Sequence, residues 1–80
     1  MYESVLEIDI HGFNAYQAKT AIDAKIKNPH GAYRIRVIHG YHNGTVLSEM
    51  ITREYKNNSK VLRIERGLNI GQTDLVLKEL

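Results

Sequence analysis

The chain has 80 residues, with eleven basic against nine acidic side chains, a formal charge of +2 with histidine neutral and no cysteine. That excludes disulfide staples, thiolate metal sites and a cysteine nucleophile together, and it sets the expectation of one small domain over residues 1–80 with a thin core, since a chain this short buries only about 60% of the surface its unfolded form exposes. No apolar run nears the roughly 20 residues that cross a bilayer, and the N-terminal stretch carries acids where a signal peptide has a basic lead, so the expectation is a cytoplasmic location and no membrane partner.

The first strand reads as VLEIDIH, alternating from Leu6. Leu6, Ile8 and Ile10 point one way, and Glu7, Asp9 and His11 the other, the pattern of a half-buried strand. Gly12 ends it. Asn14 is a fair N-cap for a helix from about Ala15 to Lys27, with Gln17 placed to complete a capping box. Ala18, Ala21, Ile22 and Ile26 fall on one helical face. Asn28-Pro29-His30-Gly31 breaks the helix.

YRIRVIH is the second strand, with Ile35 and Val37 on one face and Arg34, Arg36 and Ile38 on the other. Past the stretch HGYHNG, the segment TVLSEMITREYKNN has helical spacing, with Leu47, Met50, Ile51 and Tyr55 as its stripe. VLRIERG follows as a third strand, with Leu62 and Ile64 inward and Val61, Arg63 and Glu65 outward. GLNIGQ is a loop, and TDLVLKEL is a fourth strand with Leu75 and Leu77 on one face. The order is βαβαββ. Alternating strands and helices favour parallel pairing with right-handed crossovers, and the short last loop makes at least the final pairing antiparallel. Two helices cannot cover both faces of four strands, and one face of each early strand carries charge. The expected architecture is α/β in the sense of a two-layer sandwich, a four-stranded mixed sheet with both helices on one face.

Two strand ends carry the chemistry. Asp9 and His11 are two apart in a strand and project to one face. If the first two strands are parallel, His11-Gly12 and His39-Gly40 end at the same rim, where open α/β sheets bind ligands. There a carboxylate and two or three imidazoles can run general acid–base chemistry on a phosphodiester, with amides around Gly40, Tyr41, His42, Asn43 and Gly44 at the start of the second helix holding phosphate. The plainer alternative is a tight turn that needs its glycines, with His39 packed and hydrogen-bonded to a carbonyl and His42 in solvent.

Arg34, Arg36 and Arg63 share the open face, with Lys56, Lys60 and Arg66 nearby in sequence. With Tyr33 and Tyr41 they can track a nucleic-acid backbone, or they can form cross-strand pairs with Glu7 and Glu65. The mild basicity permits an anionic partner without demanding one.

These residues resemble the small MutS-related (Smr) domain family. Ile8-Asp9-Ile10-His11-Gly12 is similar to its L-D-L-H-G-like strand end, and His39-Gly40-Tyr41-His42-Asn43-Gly44 to its H-G-x-G-x-G-like loop. Gly71-Gln72-Thr73-Asp74-Leu75-Val76-Leu77 is similar to its closing loop and strand. His42 stands where the loop's middle glycine is usual. The resemblance implies a βαβαββ fold like the C-terminal domain of bacterial translation initiation factor three. It also implies nucleic-acid binding and, in some members, DNA-nicking or RNA-cleaving activity, carried over to Asp9, His11, His39, Gly40 and Gly44. DNA against RNA, oligomeric state and any cofactor, a divalent metal included, stay open; a non-catalytic nucleic-acid- or ribosome-binding module and a protein-interaction domain are the alternatives.

Overall fold

In the computed structural model, which describes residues 4–41, 44–67 and 69–79, the elements are β1 (Val5–Asp9), α1 (Ala15–Lys27), β2 (Arg34–Ile38), α2 (Gly44–Tyr55), β3 (Arg63–Glu65) and β4 (Gln72–Val76). The strands form one sheet in the order β1-β2-β4-β3. β1 and β2 are parallel, with Leu6 opposite Ile35 and Asp9 opposite Ile38. β4 runs antiparallel to both β2 and β3. β1, β2 and β3 therefore share one direction, and their C-terminal ends meet the start of β4 at one rim. Three connections gather there: β1–α1, β2–α2 and β3–β4.

Local chemistry explains where the elements stop and start. Asn14 Oδ1 accepts from the Gln17 amide at 2.8 Å, and Gln17 Oε1 accepts from the Asn14 amide at 3.0 Å. This capping box satisfies two amides that the first turn of α1 would otherwise leave open. Lys25 and Lys27 sit in the last turn, where cations complement the helix dipole. Ala18, Ile22 and Ile26 of α1 and Leu47, Met50, Ile51 and Tyr55 of α2 are buried against Ile8, Ile10, Ile35, Val37 and Leu75 of the sheet. Both helices thus cover one face, and each fully buried isoleucine or leucine contributes about 1.5–3 kcal/mol. Tyr55 is the largest core side chain, and its hydroxyl donates to Asp23 Oδ1 at 2.6 Å, tying α2 to α1. Burial, and then that carboxylate, push the Tyr55 phenol well above its ordinary range.

β3 departs from the alternation expected of VLRIERG. Val61 is buried at 7% exposure and Leu62 is 55% exposed, the reverse of their expected faces. The Val61 amide donates to Asn58 O at 3.0 Å, closing a turn, so Val61 precedes the strand and does not follow its pleat. β4 begins one residue earlier than expected and ends at Val76, after which the Leu77 amide donates to Tyr33 O at 2.7 Å.

β4 is central and buried on both faces. Thr73 and Leu75 face the helices, while Asp74 and Val76 lie on the other side. No described helix is long and apolar enough to cross a membrane.

Candidate functional site

β1 ends into a tight turn. The Phe13 amide donates to Ile10 O at 3.0 Å, and Gly12 sits at φ 80°, the conformation a type II turn gives to glycine. Ile10 enters the core while His11 is turned out to solvent beside Asp9. His11 Nδ1 lies 2.6 Å from Asp9 Oδ1, and the His11 amide donates to the same oxygen at 3.1 Å. The ring bond first, and then the amide bond, hold the Asp9 carboxyl below the usual carboxylate range. The pair is open, with side-chain exposures of 72% for His11 and 54% for Asp9. A carboxylate accepting from Nδ1–H fixes the imidazole tautomer and leaves Nε2 as an accessible base.

β2 delivers His39 to the same rim in a different state. Its ring is buried at 3% exposure. Nε2 lies 2.9 Å from Thr73 Oγ1 and Nδ1 lies 3.2 Å from Gly40 O. The tautomer with hydrogen on Nδ1 satisfies both partners, the Thr73 hydroxyl donating to Nε2. The two motifs meet at Gly40, whose φ is 80° and whose missing Cβ would stand 3.4 Å from His11 Cβ. The amides of His39 and Gly40 both donate to Gly71 O at 3.0 Å, so the β3–β4 loop is stitched to the β2–α2 loop.

Tyr41 leaves that junction outward, 65% exposed. Its hydroxyl donates to Asn69 Oδ1 at 3.1 Å, and the same oxygen accepts from the Gly71 amide at 2.8 Å. A Cβ on Gly71 would come within 3.2 Å of the Tyr41 ring, so a side chain there would push the ring by a few tenths of an ångström. Beside it lies a cleft of about 260 Å³ whose walls include Thr45, Ser48 and Glu49 of α2, with Arg66, Ile70 and Gln72 opposite. His42 and Asn43 lie outside the described residues; Gly44 opens α2.

The open face of the sheet is held by its own carboxylates. Arg34 donates to Asp74 Oδ2 at 2.7 Å and to Glu65 Oε1 at 2.8 Å. Arg36 makes two bonds to Asp74, at 3.2 and 3.1 Å. The Asp74 bond, opposed by burial and aided by Glu65, holds the Arg34 guanidinium firmly in its charged form. Arg63 pairs with Glu65 and Glu79. Of the cross-strand partners expected for this face as one alternative, Glu7 and Glu65, Glu65 takes part, but the main acceptor is Asp74, and Glu7 acts on Arg36 through its charge. Tyr33, stacked near Arg34, stands at the start of β2 and so at the rim opposite Tyr41.

Sequence patterning brought Asp9, His11, Gly12, His39 and Gly40 to one rim, as parallel pairing requires. It did not reveal Thr73, Asn69 or Asp74. Asp74 had a signal, since it is out of phase with Leu75 and therefore shares a face with the arginines. Asn69 had none, because its partners are set by two loops meeting in space. Among the described residues no group of three histidines, aspartates or glutamates is placed to hold a metal ion.

The structure matches the crystal structure of the Smr domain of Thermus thermophilus MutS2, with a TM-score of 0.82 at 20% identity, over 92% of this chain and 99% of that one. No curated protein matches the chain. The model of the Smr domain family matches residues 8–70, which include the β1 end, the His39-Gly40 loop and the cleft walls other than Gln72 and Thr73. By that match the chain belongs to the Smr domain family.

Proposed function

We propose that the chain binds nucleic acid at the His-Gly rim and cleaves a phosphodiester there, with His11 as the acid–base group and Asp9 as the residue that positions it. The observation that carries this is the exposed Asp9–His11 pair at 2.6 Å, set beside Gly40 at the rim where α2 begins. The association of the Smr family with nucleic acid supports it. His11 Nε2 takes the proton of the attacking hydroxyl as its oxygen bonds phosphorus. The bond to the leaving oxygen breaks, and the proton passes from Nε2 to that oxygen. The first amides of a helix lack intrahelical acceptors and favour the phosphate charge at such a rim. His39 acts as a positioning residue, since both ring nitrogens are engaged inside the protein. Arg34 and Arg36 serve the sheet, being paired with Asp74.

The test is incubation of supercoiled plasmid and structured RNA with the parent protein and with His11→Ala. Cleavage by the parent that falls about 100-fold or more in the variant is expected, within the range of general acid–base catalysis. Equal cleavage by the two proteins refutes the role of His11.

Binding without cleavage is the second reading. It is favoured by the burial of His39, which leaves His11 as the one open imidazole among the described residues of this rim. Retained affinity with no cleavage by the parent selects it.

A further inference from the structure

We infer that the cleft beside Tyr41 takes an unpaired base of a single-stranded nucleic acid, with the Tyr41 ring as its stacking platform. This rests on the nucleic-acid reading of the rim and names its substrate class. The first support is that Tyr41 is held for exposure. A tyrosine in a loop normally gains by covering apolar surface. Here the ring is 65% exposed, tethered through its hydroxyl to Asn69 and seated against Gly71, where a Cβ would intrude to 3.2 Å. A ring restrained at two points loses little further freedom on stacking.

The cleft supplies the second support. Thr45, Ser48, Glu49 and Gln72 line it with hydroxyl, carboxylate and amide groups. Such groups bond the edges of an unpaired base, which a duplex does not present to a cleft. The third support is the distribution of charge. At this rim, among the described residues, Arg66 stands with Asp9 and Glu49, and its guanidinium already donates to Thr52 at 2.6 Å. Lys25 and Lys27 lie at the end of α1, Lys56 and Lys60 between α2 and β3, and Lys78 after β4, all at the opposite rim. A rim with so few cations is poorly made for tracking a duplex by its phosphates. Stacking is sequence-tolerant and supplies affinity without that charge. Phe13 in the β1–α1 connection and Tyr16 in the first turn of α1, 39% and 80% exposed, add two aromatic rings to the same rim.

The experiment measures fluorescence anisotropy of labelled oligonucleotides about 12 nucleotides long. Single-stranded DNA, single-stranded RNA and duplex DNA are titrated with the parent, Tyr41→Ala, Tyr41→Phe and, at the opposite rim, Leu62→Ala. Single strands are expected to bind more tightly than duplex, and the two single-strand arms show which backbone is preferred. Tyr41→Ala lowers single-strand affinity about 10- to 100-fold, Tyr41→Phe by less than about tenfold, and Leu62→Ala leaves it unchanged. The Tyr41 ring protons move on addition of oligonucleotide in the NMR spectrum of the parent, a readout independent of the variants. Equal affinity of Tyr41→Ala and parent, or a preference for duplex, overturns the inference while leaving nucleic-acid binding in place. Failure to bind any of the three nucleic acids overturns both the inference and the reading beneath it.

Discussion

His39 Nε2 and Thr73 Oγ1 lie 2.9 Å apart beneath the rim, joining the end of β2 to the start of β4 across 34 residues of chain. Both residues are buried, His39 at 3% and Thr73 at 1% exposure. Neither side chain has water to fall back on, so the bond is costly to leave half-made. Thr73→Val keeps the shape and removes the donor. It is expected to lower unfolding free energy by about 1–3 kcal/mol, the cost of a buried group left without its partner. Chemical denaturation of parent and variant checks this. A variant as stable as the parent would mean that the imidazole finds another partner.

Asp9 predicts a different outcome, because the ring it bonds is already exposed. Asp9→Asn keeps the size of the side chain but removes the charge and permits amide donation in place of carboxylate acceptance. If the tautomer of His11 matters to cleavage, Asp9→Asn lowers the rate about 10- to 1,000-fold while shifting the melting temperature little, since a pair this exposed is screened by water. Rates and melts measured on the same preparations separate these effects. A variant that melts as the parent does and cleaves equally well removes Asp9 from the mechanism.

The parts legible in the sequence were those governed by local periodicity. Alternation in VLEIDIH gave the faces of β1, and the Asn14–Gln17 pair gave the start of α1, because each depends on neighbours within a few positions. Meeting of the two His-Gly ends followed from parallel pairing alone. What distinguishes the histidines was not legible. His11 follows a turn residue and leaves the sheet, while His39 is covered by β4, and no local pattern states which strand will flank β2. The faces of Val61 and Leu62 were misplaced for a different reason: the Asn58–Val61 turn interrupts the pleat before β3 begins.

The burial of β4 makes Asp74 the most sensitive carboxylate of the open face. Its side chain is 8% exposed and receives bonds from both Arg34 and Arg36. Asp74→Ala leaves Arg34, itself only 18% exposed, facing Glu65 alone. The expected loss is about 3 kcal/mol, as for removal of one member of a buried ion pair. Replacing Asp74→Leu together with Arg34→Met is expected to recover part of that loss, since apolar groups of similar volume substitute for the buried Arg34–Asp74 pair while Arg36, 34% exposed, loses its acceptor but keeps access to water. The double variant also tests the division of labour between sheet and rim. Its affinity for single-stranded nucleic acid should stay within a few-fold of the parent, whereas a loss comparable to that of Tyr41→Ala would return Arg34 to the binding surface.

Glu65 gives the open face a dependence on pH. Its carboxyl is held below its ordinary value of 4.5 by the hydrogen bond from Arg63 first and from Arg34 second. A carboxyl with a lowered folded value binds fewer protons folded than unfolded, so stability rises with pH across the interval between the two values. The Glu65 contribution is therefore fully present above about pH 5 and is lost as the pH falls through 4.5 and then through the lowered value. Glu65→Gln removes this contribution and the slope that goes with it. Parent and variant, compared by urea denaturation from neutral pH to about pH 3, should differ at neutrality and converge in acid, while Asp9 and Asp23 continue to titrate in both proteins. A gap between the two stabilities that stays constant across that range would show that Glu65 acts through packing and not through its charge.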